Sequence, residues 1–178
     1  MNRFTGLLLL LMIAVIAPAQ NKTECTDWKI SGVNQLYLPF FADQPSVDGK
    51  KFDTAALLEN VQADNEDMKT WPVISLSGDS IITPVSNENQ LIQIAGFISS
   101  DRWTKASVNI STNAIFELSL DGKKVKSQGK AADRPVKIDL TLGTGIHELS
   151  LKLISTTKTL FFSADVSAVD QSAVLAWS

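Results

Sequence analysis

The sequence contains a single cysteine, Cys25, and a single histidine, His147, among its 178 residues. One cysteine cannot close a disulfide within the chain, so a hydrophobic core alone must hold the fold together. Zinc sites need several cysteines or histidines at set spacings, and the repeated Asp and Asn of a calcium loop are absent too. The sequence therefore predicts no metal site and no other cofactor.

The same scarcity restricts catalysis. A Ser-His-Asp site would have to use His147 as its base, and the G-x-S-x-G motif that presents a nucleophilic serine does not occur. His147 has the parity of Leu149 and Leu151, which favours a hydrogen-bonded imidazole pointing inward. Cys25 lies in a polar stretch and is interpreted as an adventitious thiol. A catalytic pair of carboxylates for glycoside hydrolysis remains an alternative, because the distance between two carboxylates is set by the fold. We predict that the chain has no catalytic residues as it stands.

Clustered positive charge is also missing. Sixteen Lys and Arg face nineteen Asp and Glu, for a net charge of −3, and no run of basic residues occurs. Nucleic-acid affinity depends on neutralising phosphates with clustered cations, so nucleic acid is excluded as a partner. The segment Asp64–Asp67 holds three carboxylates in four residues. It is interpreted as a solvated loop, with weak cation binding as the alternative.

The one long apolar run stands at the start of the chain. Arg3 precedes a run from Leu7 to Ile16, and Ala17-Pro18-Ala19 follows it. This order of a basic, an apolar and a small-residue region is typical of a secretory signal peptide, predicted over residues 1–19. A signal anchor is the alternative, but the run is shorter than the ~20 residues of a spanning helix. We expect an exported protein, periplasmic or extracellular, with no membrane span after cleavage.

The composition beyond residue 19 is that of a globular domain, and no repeat divides it. Residues 20–69 are predicted to form an N-terminal extension with an edge strand and one short helix. In that helix Asp53 would cap a turn that begins near Ala55. Residues 70–178 are predicted to form a β-sandwich core, and 20–178 are expected to make one domain.

Apolar and polar residues alternate through five segments of this core, as in strands with one buried and one solvated face. Asp121-Gly122 is favoured in two-residue hairpin turns, and Gly143-Thr144-Gly145 predicts a second turn. The pattern predicts an all-β fold, an antiparallel β-sandwich of the jelly-roll type. The apolar members are Ala106, Val108 and Ile110; Phe116, Leu118 and Leu120; Val136, Ile138, Leu140 and Leu142; Leu149, Leu151 and Leu153; Phe162 and Ala164.

The stretch from Ile92 to Leu153 carries a resemblance. A strand ending in Asp121-Gly122-Lys123 leads through a polar loop to the strand that starts Gly145-Ile146-His147-Glu148-Leu149. This order of strands and turns resembles the lectin-like β-sandwich modules of the anthrax protective-antigen type and the wider jelly-roll carbohydrate-binding superfamily. The resemblance implies a jelly-roll, galactose-binding-like sandwich. The same order is also similar to the amino-terminal modules of exported bacterial enzymes, including prolyl-oligopeptidase-like peptidases with a β-propeller. The adjacent aspartates that hold calcium in sugar-binding members are missing, so calcium-dependent sugar binding is not implied.

Aromatic residues mark the candidate binding surface. Trp103 has the parity of Lys105, so a regular strand turns it outward, where it could stack on a sugar ring or anchor a partner. A bulge would instead place it at the rim of the core. Trp103, with Arg102 and Asp101, is the predicted ligand-binding site. Trp71-Pro72 and the run from Leu36 to Phe41 are expected on an outer face or edge, and Trp177 on a neighbouring domain.

These observations predict a non-catalytic exported accessory module. It would pack against a partner domain or protein, or present a shallow surface for carbohydrate or protein. The alternative is the N-terminal part of an exported hydrolase, a peptidase or glycosidase, whose catalytic residues lie outside this chain or are not recognisable. A purely structural envelope protein is a third hypothesis. An enzyme should gather titratable groups in one concave pocket, whereas a binding module should show an exposed apolar patch.

Overall fold

A computed structural model describes residues 22–39, 42, 44–45, 47–50, 52–53, 55–60, 68–78 and 80–178. The predicted signal peptide, Phe40-Phe41 and the acidic segment Asp64–Asp67 lie outside the described residues. Where the chain is described, no helix is long and apolar enough to cross a membrane.

The described chain is built mainly of strands. One α-helix, α1 (Ala55–Asn60), and a 3₁₀ turn at Met68–Thr70 accompany them. The strands are β1 (Lys22–Glu24), β2 (Asp27–Ile30), β3 (Asn34–Gln35), β4 (Val73–Ser75), β5 (Ser80–Ile81), β6 (Gln90–Ser100), β7 (Thr104–Thr112), β8 (Ile115–Leu120), β9 (Lys123–Gln128), β10 (Val136–Leu142), β11 (Gly145–Ile154), β12 (Phe161–Ala168) and β13 (Leu175–Trp177).

Two antiparallel sheets form a sandwich. Sheet A has the order β1-β12-β7-β10, with β5 also paired to β12. Sheet B has the order β4-β2-β6-β11-β8-β9, with β3 and β13 also paired to β6. From β6 to β8 and from β9 to β12 the chain passes between the sheets at each connection, so strands distant in sequence become neighbours. This confirms the predicted antiparallel β-sandwich with one short helix.

The core lies between the sheets and follows the predicted alternation. Val108 and Ile110 of sheet A and Leu118 and Leu151 of sheet B are almost fully buried. Strands such as β10 and β12 thus turn one parity inward and leave the other more exposed. The largest buried side chain, Trp28, packs edge-on against Phe162 at 5.2 Å between ring centroids. Trp28 therefore joins β2 of sheet B to β12 of sheet A.

Turn chemistry also matches the sequence. Asp121 and Gly122 connect β8 to β9 and both have positive φ, 51° and 73°. Such backbone angles are those of a two-residue hairpin whose twist suits the flanking strands. The turn at Gly143-Thr144 has a different role, because it leads from β10 in sheet A to β11 in sheet B.

The long strand β6 has one continuous neighbour, β11, and three short neighbours on its other edge. β3 pairs near Leu91, β2 near Ile94 and β13 near Ser99. Segments from the first and the last quarter of the described chain thus complete the same sheet edge. They leave the β6 backbone paired along both sides.

Trp177 lies within this arrangement, whereas sequence analysis assigned it to a neighbouring domain. Its indole packs 4.6 Å from Trp28 and its Nε1–H donates to the carbonyl of Asp27 at 2.9 Å. An added Cβ on Gly96 would lie only 2.0 Å from Cζ2 of Trp177, so the glycine makes room for the ring. An apolar C-terminal segment therefore reflects internal packing here.

The outer face of sheet B is partly covered. Leu58 of α1 packs with Leu91, Ile115 and Ile154, which point away from the main core. Leu57 also packs against this small second cluster, which accounts for the two leucines in a polar N-terminal segment. The rest of that face carries mostly polar side chains.

Candidate functional site

Trp103 stands just before β7 and points outward, as a regular strand predicts. Its side chain is 61% exposed, whereas the next residue, Thr104, is buried. The rim position that a bulge would give is therefore wrong. Exposed Val169 follows β12, and its backbone N–H donates to the carbonyl of Lys105 at 2.8 Å. Trp103 and Val169 thus present an apolar patch at one end of sheet A.

Two shallow hollows extend along this patch, and together we name them the Trp103 groove. The first has a volume of about 240 Å³ and is lined by Trp103, Thr104, Lys105, Val169 and Asp170. The second, of about 320 Å³, is lined by Lys105, Ala106, Asp139, Leu140, Thr141 and Val169. Lys105 and Val169 line both hollows. The Trp103 groove therefore has Trp103 and Asp170 at one end and Asp139 at the other.

Asp101 and Arg102 form a brace beside the groove. The Arg102 guanidinium donates to Oδ2 of Asp101 through Nε at 3.2 Å and Nη2 at 3.0 Å, and to the Ser172 hydroxyl through Nη1 at 3.1 Å. Oδ1 of Asp101 accepts the backbone N–H of Val174 at 2.9 Å. The brace ties the β6–β7 turn to the β12–β13 loop. Much of its hydrogen-bonding capacity is thus used to fix the loops, while the guanidinium keeps N–H groups for another acceptor.

Electrostatics keep both neighbouring acids ionised. The Arg102 guanidinium, followed by the Val174 amide, lowers the pKa of Asp101 below its usual range. Hydrogen bonds from the Ser172 backbone and hydroxyl lower the pKa of Asp170. The hydrogen bonds between Arg102 and Asp101 raise the pKa of the Arg102 guanidinium. Asp170 lines the Trp103 end of the groove, and the Asp101–Arg102 pair lies on the adjoining turn. Charges of both signs that can bind hydroxyl groups are therefore present near this end.

Sequence analysis identified Trp103, Arg102 and Asp101, and the structure places them together at one turn. Sequence analysis did not identify Val169 and Asp170, which lie in the β12–β13 connection. The sequence does contain a signal for Val169. It directly follows the inward-facing Ala168, so the alternation predicts that this apolar side chain points outward. Its approach to Trp103 depends on the β7–β12 pairing, which the sequence alone does not show.

His147 is engaged in a structural arrangement. Nδ1 lies 2.8 Å from Oδ2 of Asp121, and Nε2 lies 3.1 Å from the carbonyl oxygen of Gly143. Asp121 also accepts the backbone N–H of Glu148 at 2.9 Å. The imidazole is partly buried at a hairpin, rather than in the core, and the contact with Asp121 raises its pKa. Its role is to link the β8–β9 turn to β11.

Cys25 is buried, and desolvation followed by the charges of Asp165 and Glu24 raises the pKa of its thiol far above the usual range. A thiolate is the reactive form, so this environment suits an inert core residue. Over the part of the chain that the structure describes, no group of three or more His, Cys, Asp or Glu could hold a metal ion.

No protein-family model matches the chain, and no curated protein matches it in sequence. Solved structures do align with the chain. A β-glucosidase from Kluyveromyces marxianus aligns with TM-score 0.48 and 11% identity, over 82% of this chain and 17% of that one. A GH26-CBM35 β-(1,4)-mannanase from Podospora anserina aligns with TM-score 0.42 and 12% identity, over 86% and 28%.

The PA14 domain of the MpAFP antifreeze protein aligns with TM-score 0.40 and 13% identity, over 85% of this chain and 90% of that domain. The chain spans less than a fifth of the β-glucosidase and under a third of the mannanase. All three TM-scores are below 0.5, so these matches carry no argument about this chain.

Proposed function

We propose that this protein is a non-catalytic accessory module that binds carbohydrate through the Trp103 groove. The observation that carries the proposal is the exposed indole of Trp103 beside a groove with a rigid polar rim. A flat aromatic ring offers apolar area to the face of a sugar ring, and neighbouring charged groups can bind its hydroxyls. Trp103 is held close to braced loops, so little ordering is needed when the ligand arrives.

The two hollows favour an extended ligand over a single sugar. They share Lys105 and Val169, so a chain can pass from Trp103 toward Asp139 across both. Their shallowness suits the exposed side of a polymer. A polysaccharide is therefore the proposed ligand class.

The test is affinity electrophoresis through gels that contain β-glucan, β-mannan, xylan or α-glucan. We expect at least one polymer to retard the protein and Trp103→Ala to weaken this binding by about tenfold or more, as for a central aromatic contact. Tyr37→Ala is the matched control, because Tyr37 is 86% exposed and lies outside the groove. Equal retardation of wild type and Trp103→Ala, or retardation by no polymer, would refute the proposal.

Export and association with a partner domain complete the proposal. The leader-like residues 1–19 support export, and the resemblance to amino-terminal modules of exported enzymes supports a neighbouring hydrolase domain or protein. Detection of the processed protein in a periplasmic or culture fraction tests export. Co-purification with a hydrolase after cross-linking tests the association.

A further inference from the structure

A second concavity, which we name the sheet B hollow, lies on the outer face of sheet B. It has a volume of about 330 Å³ and shares no lining residue with the Trp103 groove. Trp71 and Gln93 line one part, and Glu117, Ser119, Glu148 and Ser150 line others. The volume lies at the lower end of the range of about 300–1,000 Å³ for small-molecule pockets.

Strand register explains the hollow. Gln93, Lys152 and Glu117 lie side by side across β6, β11 and β8. The next outward-facing row consists of the small residues Ala95, Ser150 and Ser119. Small side chains between larger ones leave a depression in a sheet surface. Trp71, which precedes β4, adds an aromatic wall.

Among the residues that the structure describes, two hydrogen-bond donors at this site have no partner. Trp71 and Gln93 are each only 8% exposed, and neither Nε1 of Trp71 nor Nε2 of Gln93 makes a hydrogen bond there. Buried donors are nearly always paired, so such groups call for an explanation. The indoles of Trp28 and Trp177, by contrast, donate to backbone carbonyls. Both donors are buried atoms of residues that line one hollow. A ligand with acceptor oxygens would pair them once the two side chains turn toward it.

The charges of the hollow favour a neutral ligand. Glu117 is held by Lys124 at 2.9 Å and Lys152 at 3.6 Å, so this carboxylate is already compensated. Glu148 adds a second carboxylate, and the lining carries two acids and two lysines in all. A hydroxyl group suits such a mixed site, because it accepts from an N–H and donates to a carboxylate.

We propose that the sheet B hollow binds a neutral, hydroxyl-rich molecule of about monosaccharide size. Its oxygens accept hydrogen bonds from Trp71 Nε1 and Gln93 Nε2 after a small adjustment of these side chains, and its hydroxyls donate to the acids of the hollow. Trp71 packs along one side of the molecule. This site is independent of the Trp103 groove and differs from it in ligand size.

The four indole N–H groups make one experiment sufficient for both sites. In an amide correlation NMR spectrum of isotope-labelled protein, assigned by single Trp→Phe variants, glucose, mannose and glucuronate are titrated separately at millimolar concentrations. We expect the neutral sugars to shift the Trp71 indole resonance and to leave those of Trp28 and Trp177 in place. A polysaccharide that binds the Trp103 groove shifts the Trp103 resonance instead, so the two proposals fail separately.

Two variants test the role of the unpaired donors. Trp71→Phe keeps an aromatic wall and Gln93→Leu keeps most of the side-chain volume, and each removes one donor. We expect each to weaken sugar binding by about tenfold, a factor typical of a lost hydrogen bond, while the melting temperature of Gln93→Leu stays equal or rises. For Trp71→Phe, sugar binding is read from the backbone amide of Ser150. No shift at Trp71 with either neutral sugar overturns the proposal, as does stronger binding of glucuronate or unchanged affinity in both variants.

Discussion

Replacing Gly96 by alanine should destabilise the protein, although the same change at many strand positions is neutral or favourable. Gly96 does not have a positive φ, so the backbone itself accepts alanine. The new Cβ would meet Cζ2 of Trp177 at 2.0 Å and Cη2 at 2.6 Å. The indole is rigid and is held by its hydrogen bond to Asp27 and by Trp28. The ring must therefore leave its place.

The magnitude follows from what the ring loses. A hydrogen bond contributes about 1 kcal/mol. A fully buried aromatic ring contributes about 3–5 kcal/mol, so the half-buried Trp177 should lose roughly 2 kcal/mol. Alanine leaves the unfolded chain less conformational freedom than glycine does, which stabilises the variant by about 0.4–1 kcal/mol. The net expected loss is about 2 kcal/mol, or roughly 4–8 °C in melting temperature for a chain of this size.

Urea unfolding followed by circular dichroism measures this loss, and a double-mutant cycle assigns it to the contact. Trp177→Ala should cost a similar amount, and Gly96→Ala should cost almost nothing in the Trp177→Ala background. Gly32→Ala is the matched control, because no atom lies within 4 Å of its added Cβ and its φ is not positive. A stable Gly96→Ala protein, or an equal loss in both backgrounds, would refute the reasoning.

Further predictions concern the hairpin and the thiol. His147 has a raised folded-state pKa, so its contact with Asp121 stabilises the protein fully below the ordinary His pKa of 6.5 and is lost as the pH rises through the raised value. Desolvation opposes ionisation of Asp121, but hydrogen bonds from His147 and the Glu148 amide lower its pKa on balance. The stability that ionised Asp121 contributes is therefore lost only as the pH falls below the ordinary value of 3.8. Urea unfolding should show that His147→Gln is less stable than wild type by about 1 kcal/mol near pH 5, a modest value because Asp121 is half-exposed. The difference in stability should be smaller above neutrality. A constant difference across the pH range would contradict this prediction. Gly122→Ala should lose about 1 kcal/mol because Gly122 has a φ of 73°, and unfolding curves equal to those of wild type would argue against the hairpin geometry. Cys25 should react with a thiol reagent at least about a thousandfold more slowly in the native protein than in urea, and rapid native labelling would show that it is not buried.

Local sequence patterns predicted most of the sandwich. The alternation from Ala106 to Ala164 predicted five strands with the correct inward parity. In a half-buried strand, apolar residues on the buried face alternate with polar residues on the solvated face, so the sequence shows the pattern directly. Asp121-Gly122 predicted its hairpin because few dipeptides tolerate two positive φ angles. These features depend on residues that are close in sequence.

Features that depend on distant pairing were missed. β13 is three residues long and β3 only two, too short for any periodic signal, so their position on β6 could not be foreseen. Trp177 was assigned to an interface for this reason. The outward Ser119 and Ser150 were expected to face solvent, and the approach of Trp71 that makes them line a hollow comes from another part of the chain.

The shared edge of β6 also sets the order in which the protein can fold. Trp177 and the Asp27 carbonyl that it contacts are 150 residues apart, so this closure carries the entropy of a very long loop. During synthesis the β6 edge that β13 pairs stays open until Leu175–Trp177 have emerged. An unpaired apolar strand is a template for intermolecular pairing. We therefore expect the nascent chain to depend on chaperone protection, and the final docking of the C-terminal strand to limit the folding rate.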